Sequence, residues 1–315
     1  MHLSSLGPTL PAITKDATCE DWVAWIPPRS DPAVLMQVVS EAYIDIERNF
    51  IRLMERNSAL TRHNLFLMCM DDESARFFES SMNIRCIPVS ALKLPSHSAI
   101  WKLRIKVVSC LVEVGRVDVI MSDADALWLG DPIRELYGSF KAPPPLLSDG
   151  GGGGGRGGIH DSDVVASRGS YPKQLGDEWG STICMGFILL RGGNVAAMKE
   201  FLDTMESFVL TTEDDQISIN QAVHDLGIVW DKDSDMRYEN STDLGTGTVI
   251  SLPADAEGRP FSVTLLPHSK YTRRCGTTPI STETVVAHCF DPRKRADVKT
   301  NWIQEENLWF VHENP

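Results

Sequence analysis

Two carboxylates spaced i, i+2, Asp123 and Asp125, close an apolar run that begins at Val117 and passes through Ile120, Met121 and Ser122. Trp128, Gly130 and Asp131-Pro132 then break the pattern. A strand that ends in Asp-x-Asp can hold a hard cation. Mg²⁺ and Mn²⁺ prefer oxygen ligands, and a nucleotide diphosphate supplies the rest. Carboxylates this close repel one another, so the pair calls for positive charge between them. A second cluster is Asp214-Asp215-Gln216 with Asn220, where positions 216 and 220 share a helix face. Taken alone, it reads as a charged cap on an amphipathic helix. His288 ends the apolar run Val285-Val286-Ala287 and precedes Arg293, Lys294, Arg295 and Lys299. A neutral imidazole can add a nitrogen ligand to a carboxylate-bound metal, and the basic residues can neutralise a departing diphosphate. His268, after Leu266-Pro267, is a weaker candidate of the same kind.

The carboxylate pair has other readings. Aspartates often cap a turn after a buried strand. Phosphatases of the haloacid dehalogenase type also end a strand in Asp-x-Asp and use the first as nucleophile, with Mg²⁺. They place Thr or Val beyond the second Asp, and the motif usually opens the domain. This chain has Ala126 there, with about 120 residues ahead of the motif. A catalytically silent binding module with the same fold is a third possibility.

The elements that must position these residues follow from periodicity. Val34 to Val39 reads as a strand, and 41–57 as a helix with Tyr43, Ile46, Phe50, Leu53 and Met54 on one face. Asn64 to Met70 is a strand, Asp72 caps a helix to Met82, and Ile84 to Val89 is a strand. Ser98 to Val114 is a long helix with Ile100, Leu103, Val107, Leu111 and Val114 inward and Lys102, Arg104 and Lys106 exposed. Val117 to Met121 is the next strand. This alternation predicts a parallel sheet, with ligands outside the carboxyl ends of its strands, where Asp123 and Asp125 fall. Beyond it, Cys184 to Leu190 is a strand interrupted by Gly186, Val195 to Val209 and Asp214 to Asp225 are helices, and Ile228 to Trp230 and Val285 to His288 are strands. The segment 232–270 reads as irregular. Pro143-Pro144-Pro145 and the glycines from Gly150 to Gly158 read as a flexible insert over about 143–160. No Gly-Lys-Ser/Thr follows, so it is not a phosphate loop.

The formal charge of −13 argues against a nucleic-acid partner, which requires a basic face. Seven cysteines without a C-x-x-C pair give no zinc cluster or dithiol motif. Cys69, Cys110 and Cys184 lie in apolar runs and read as buried free thiols. No run of 18 apolar residues suggests a membrane span, and residues 1–11 make a poor signal peptide. These features place the chain in the cytoplasm unless an N-terminal anchor is missing. One domain over 31–315, after an N-terminal extension of residues 1–30, is expected.

The sequence resembles the nucleotide-diphospho-sugar transferase family of GT-A fold glycosyltransferases, which includes plant and algal wall xylosyl-, galactosyl- and arabinosyltransferases. The resemblance rests on Met121 to Pro132, Asp163 to Pro172, Cys184 to Arg191, Asp215-Gln216 with Asn220, and Val286-Ala287-His288. It implies an α/β GT-A fold, with a Rossmann-like, mostly parallel central sheet flanked by helices. It implies transfer of a sugar from a UDP-type donor to a glycan or glycoprotein acceptor, with retention at the anomeric carbon, in the Golgi lumen. Asp123, Asp125 and His288 would hold Mn²⁺ or Mg²⁺. Arg104, Lys106, Ala124, Gly186, Lys294 and Lys299 would join Asp123 and Asp125 around the donor. Asp215 and Gln216 would face the sugar and its anomeric carbon. Where the family often has Asn-Thr-Gly-Phe, this chain has Cys184-Met185-Gly186-Phe187.

Overall fold

The computed structural model describes residues 10–27, 32–94, 96–138, 159–273, 280–289 and 295–311. Lys294 and all but the last two residues of the expected 143–160 insert lie outside these ranges. The first half contains α1 (Cys19–Val23), β1 (Val34–Val39), α2 (Ile44–Asn57), β2 (Leu65–Cys69), α3 (Asp72–Ser81), β3 (Cys86–Pro88), α4 (His97–Glu113) and β4 (Val119–Ser122). Then come β5 (Ala126–Trp128), α5 (Pro132–Tyr137), β6 (Val164–Gly169), α6 (Lys173–Trp179), β7 (Thr182–Leu190), α7 (Val195–Thr212) and α8 (Asp215–Asp225). The chain closes with β8 (Ile228–Trp230), β9 (Gly245–Val249), β10 (Ser262–Leu265), β11 (Tyr271–Arg273), β12 (Val286–His288) and α9 (Ala296–Glu305).

Helix starts follow local chemistry. The side chains of Asp71, Asn194 and Asp214 each accept a hydrogen bond from the backbone three residues on, closing the first turns of α3, α7 and α8. The α3 cap is therefore Asp71, one residue before the expected Asp72.

Nine strands form one sheet in the order β3-β2-β1-β4-β7-β6-β10-β9-β8. The first four pair in parallel, as the alternation of strands and helices predicts. Only β7 and β9 run against the others, so the expected mostly parallel α/β sheet is observed. All nine residues of β7 are buried, which explains why its composition is almost wholly apolar apart from Thr182 and Gly186. Helices cover both faces, with α4 and α7 on one core layer and α2 and α5 on the other.

Three expectations are corrected. First, 232–270 is not wholly irregular, because β9 and β10 pair within it and join the main sheet. β9 is Gly-Thr-Gly-Thr-Val and shows no apolar alternation. Its Gly247 makes room for a neighbour, since a Cβ there would stand 2.7 Å from the Trp230 ring. Second, Arg104 is buried rather than exposed and Val114 is 41% exposed rather than inward. Helix α4 is covered on several sides, by the sheet, α1 and α7, so its buried face turns toward Ile105, Val108 and Val112. Third, Cys69 and Cys110 are not free thiols. Neighbouring β2 and β3 bring Cys69 to Cys86 with Cα atoms 5.9 Å apart, and α1 on α4 brings Cys19 to Cys110 at 4.8 Å. Both separations suit a disulfide. Cys184 is a buried free thiol, as expected.

β1 lies between β2 and β4, so the sheet order reverses there. The crevice beyond the carboxyl ends of strands at such a switch point is where open α/β sheets bind ligands. Ser40 and Asp123 stand at that edge.

Candidate functional site

The turn that carries Asp123 and Asp125 is clamped from two sides. The Asp123 backbone N–H donates to Gly186 O of β7 at 2.9 Å, and Ala126 N–H donates back to Asp123 O at 2.9 Å. On the other side β5 pairs antiparallel with β12, placing Ala126 opposite His288. Cys289 N–H donates to Asp125 O at 2.7 Å. A short three-stranded sheet, β11-β12-β5, thus carries the histidine to the aspartates across 163 residues of sequence. Gly186 is required by this approach. Any side chain there would collide with the His288 ring.

One ligand atom from each of Asp123, Asp125 and His288 lies within 4.8 Å of the others. His288 Nε2 is 3.7 Å from Asp123 Oδ2 and 3.7 Å from Asp125 Oδ1. The Lys299 ammonium sits 2.5 Å from the other oxygen of Asp125. His288 Nδ1 faces the Cys184 thiol at 3.8 Å. Burial alone would raise the Asp125 carboxyl, but Lys299 and His288 hold it well below the usual carboxylate range. Burial would lower the imidazole, yet Asp125 raises it to about 10. Burial would likewise raise the Cys184 thiol, which the Arg273 charge and the His288 contact bring down to about 7. The cluster opens into a cavity of about 350 Å³, lined also by Gln37, Ser40, Tyr43, Trp101 and Met185.

The far wall is built from α8. Arg104 reaches from α4 and stands 3.5 Å from Asp123 and 3.4 Å from Asp215, with its guanidinium 5.2 Å from the Trp101 ring centre. Gln216 is fixed at both ends. Its Nε2 donates to Tyr171 O at 2.7 Å and its Oε1 accepts from Arg273 at 3.1 Å. Asn220 pins α8 to β7 by accepting from Ile183 N–H at 2.8 Å and donating to Ile183 O at 2.9 Å. Its amide also donates to Gln216 O at 2.7 Å, which bears out the shared helix face.

Two carboxylates and an imidazole thus converge at the switch-point crevice, a set of groups that could hold a cation. The sequence model of the nucleotide-diphospho-sugar transferase family matches residues 60–312, about four-fifths of the chain. The chain belongs to this family. A search against curated protein sequences returned no match. Among solved structures, the apo bifunctional glycosyltransferase WbbM is similar at 12% identity and TM-score 0.47, over 91% of this chain and 51% of WbbM. The glycosyltransferase GlyE of Streptococcus pneumoniae TIGR4 is similar at 12% identity and TM-score 0.42, over 88% and 62%. The galactosyltransferase LgtC, solved with donor and acceptor sugar analogues, is similar at 12% identity and TM-score 0.39, over 86% and 95%. The chain therefore spans about half to three-fifths of the length of WbbM and GlyE.

Within this family member, the structure brings together Arg104, Asp123, Ala124, Asp125, Gly186, Asp215, Gln216, His288 and Lys299 around one cavity. It does not bring Lys106, which is exposed on α4. Lys294 lies outside the described residues. Lys299 reaches Asp125 itself, although its sequence context suggested a phosphate contact. His268 is buried against Tyr238, with ring centres 4.9 Å apart, and does not line the cavity. Sequence reasoning missed Tyr43, Trp101, Arg273 and the proximity of Cys184 to His288. Tyr43 and Trp101 look like ordinary apolar-face residues of helices. The departure at Cys184-Met185 was the one available signal for the thiol.

Proposed function

We propose that the chain is a metal-dependent glycosyltransferase that moves a sugar from a UDP-type donor to a glycan or protein acceptor with retention at the anomeric carbon. The observation that carries this reading is the convergence of Asp123, Asp125 and His288 at the sheet edge, with Asp215 tied to Asp123 through Arg104. Two carboxylates and an imidazole are a fitting donor set for Mn²⁺, or for Mg²⁺ with less help from nitrogen. The close packing of Gly186 on His288 supports the fit, because it fixes the ring. When bound, the ion supplies Lewis-acid stabilisation of the departing diphosphate.

The chain's own residues do the rest. Asp123, Asp125 and His288 would hold the ion, and its binding would release the proton that His288 carries beside Asp125. Arg104, Lys294 and the backbone of Ala124 and Gly186 would face the donor. Asp215 would stabilise positive charge at the anomeric carbon, held in place by Arg104, with Gln216 orienting the sugar from its fixed amide. The disulfides Cys19–Cys110 and Cys69–Cys86 among the described residues favour an oxidising compartment, in keeping with the Golgi lumen. Among the described residues no helix is long and apolar enough to cross a membrane. A haloacid dehalogenase-type phosphatase is not favoured, since the chain belongs to another family and an imidazole stands against both carboxylates.

The test is UDP release from a panel of UDP-sugars with Mn²⁺. Release with at least one sugar is expected, falling by roughly a thousandfold in Asp125→Ala. If no UDP-sugar is bound or turned over, and Asp125→Ala changes nothing, the reading is wrong.

A further inference from the structure

Lys299 occupies an unusual place. Its ammonium is 2.5 Å from Asp125 Oδ2, and the two side chains are only 9% and 2% exposed. The other oxygen of the same carboxylate faces His288 Nε2. The ammonium also lies 5.3 Å from the centre of the Tyr43 ring. Its backbone is set in the first turn of α9, with Lys299 N–H donating to Arg295 O at 3.2 Å. Ile303, one turn on, is buried in a cluster with Leu53, Ala124 and Leu127. The lysine is therefore delivered to the carboxylate by a packed helix, which a loose surface cation would not be.

A buried carboxylate without a partner is strongly destabilising. The buried Asp125 carboxylate, with the partly exposed Asp123 carboxylate beside it, would make the turn after β4 hard to fold in the absence of a cation. Lys299 solves that problem from within the chain. The same solution has a consequence for the divalent ion, since both cations are drawn to one carboxylate and repel each other across it. We propose that Lys299 is an internal cation of the metal site, which stabilises Asp125 in the metal-free protein and competes with the divalent ion for it. The residue then sets how tightly the ion is held, and it is a positioning residue without contact to the reacting atoms. This inference rests on the metal-site reading above.

The experiment is titration of Mn²⁺ into the full chain, following the free-ion electron paramagnetic resonance signal, together with thermal unfolding in EDTA and in excess Mn²⁺. Lys299→Met is expected to bind Mn²⁺ at least about tenfold more tightly than the wild type, because its competitor is gone. In EDTA it unfolds several degrees lower than the wild type, and Mn²⁺ restores it. Lys299→Arg keeps the charge in a planar fork that grips a carboxylate at two points, so it binds Mn²⁺ no more tightly than the wild type. Equal or weaker Mn²⁺ binding by Lys299→Met overturns the inference, and so does weakened UDP binding with unchanged Mn²⁺ affinity, which is the signature of a phosphate contact. Should the Met variant fail to fold, Lys299→Arg decides, and tighter Mn²⁺ binding by it overturns the inference. If the wild type and every variant bind no Mn²⁺, the metal-site reading falls and takes this one with it.

Discussion

Arg168 and Arg104 are both buried arginines, at 0% and 6% exposure, and they are satisfied in opposite ways. Arg168 on β6 donates to five backbone carbonyls. These are Leu266 at 2.8 Å, Leu265 at 3.4 Å, Asp243 at 2.8 Å, Arg237 at 3.1 Å, and Asp235. Burial lowers its guanidinium to about 10. Arg104 instead spans two carboxylates, Asp123 and Asp215, at 3.5 and 3.4 Å on the wall of the cavity. Carbonyls in a folded backbone cannot leave, so the first arrangement is fixed and ties the 235–243 loop to the sheet. Carboxylates in a cavity can exchange one cation for another, so the second can respond to a ligand. The partners of a buried charge therefore separate scaffold from site here better than burial does.

Arg168→Met should break the comparison hardest. It strands five carbonyls and should lower unfolding free energy by roughly 5 kcal/mol, read from urea denaturation, with no folded inactive species. A folded variant with a urea midpoint near the wild type would refute the scaffold assignment.

A third buried charge sharpens the contrast. Glu47 on α2 is 0% exposed, and neither carboxylate oxygen has a hydrogen-bond partner among the described residues. Burial raises its carboxyl from 4.5 to about 8. The unfolded chain releases this proton at lower pH than the folded one. Stability is therefore fully present below about 4.5 and is lost as pH rises toward about 8. Glu47→Gln should raise the unfolding free energy at pH 8 by roughly 3 kcal/mol and leave it little changed at pH 4.5. An equal effect at both pH values would show that the carboxyl is not the source.

Arg104→Met should separate the two arginines by function. Transfer should fall by about a hundredfold, while the unfolding free energy falls by roughly 2–3 kcal/mol, mostly from the buried Asp215 carboxylate that loses this cation and less from the partly exposed Asp123. Loss of stability equal to that of the Arg168 variant would erase the distinction. The smallest effect is expected from Gly186→Ala, whose methyl displaces the His288 ring and should weaken Mn²⁺ binding by about tenfold, measured by titration. Unchanged affinity would mean that His288 is not held by this contact.

Much of the site was legible because it lies at the ends of patterned strands. Asp123, Asp125 and His288 each follow an apolar run, and strand ends are where a sheet presents side chains to a crevice. Asp215 and Gln216 were legible as a helix start but gained meaning only when α8 packed against β7 through Asn220. Arg104 was misplaced because helical periodicity in a helix covered on several sides does not single out one inward face. Lys299 is legible as a basic residue near the site, but its contact with Asp125 is not, since sequence cannot say that α9 folds back onto that carboxylate. Strand β9 escaped notice because backbone pairing, and not apolar alternation, holds its Gly-Thr repeat in the sheet, whereas β10 and the residue before it do alternate, at Phe261, Val263 and Leu265, but in a run too short to stand out.

The central claim is that Asp123, Asp125 and His288 bind a nucleoside diphosphate through a divalent ion. Calorimetric titration of UDP in Mn²⁺ and again in EDTA tests it most directly. Binding in Mn²⁺ that disappears in EDTA, and that Asp125→Ala abolishes, is the predicted result. Binding of equal strength in EDTA, or no binding of UDP in Mn²⁺, would contradict it.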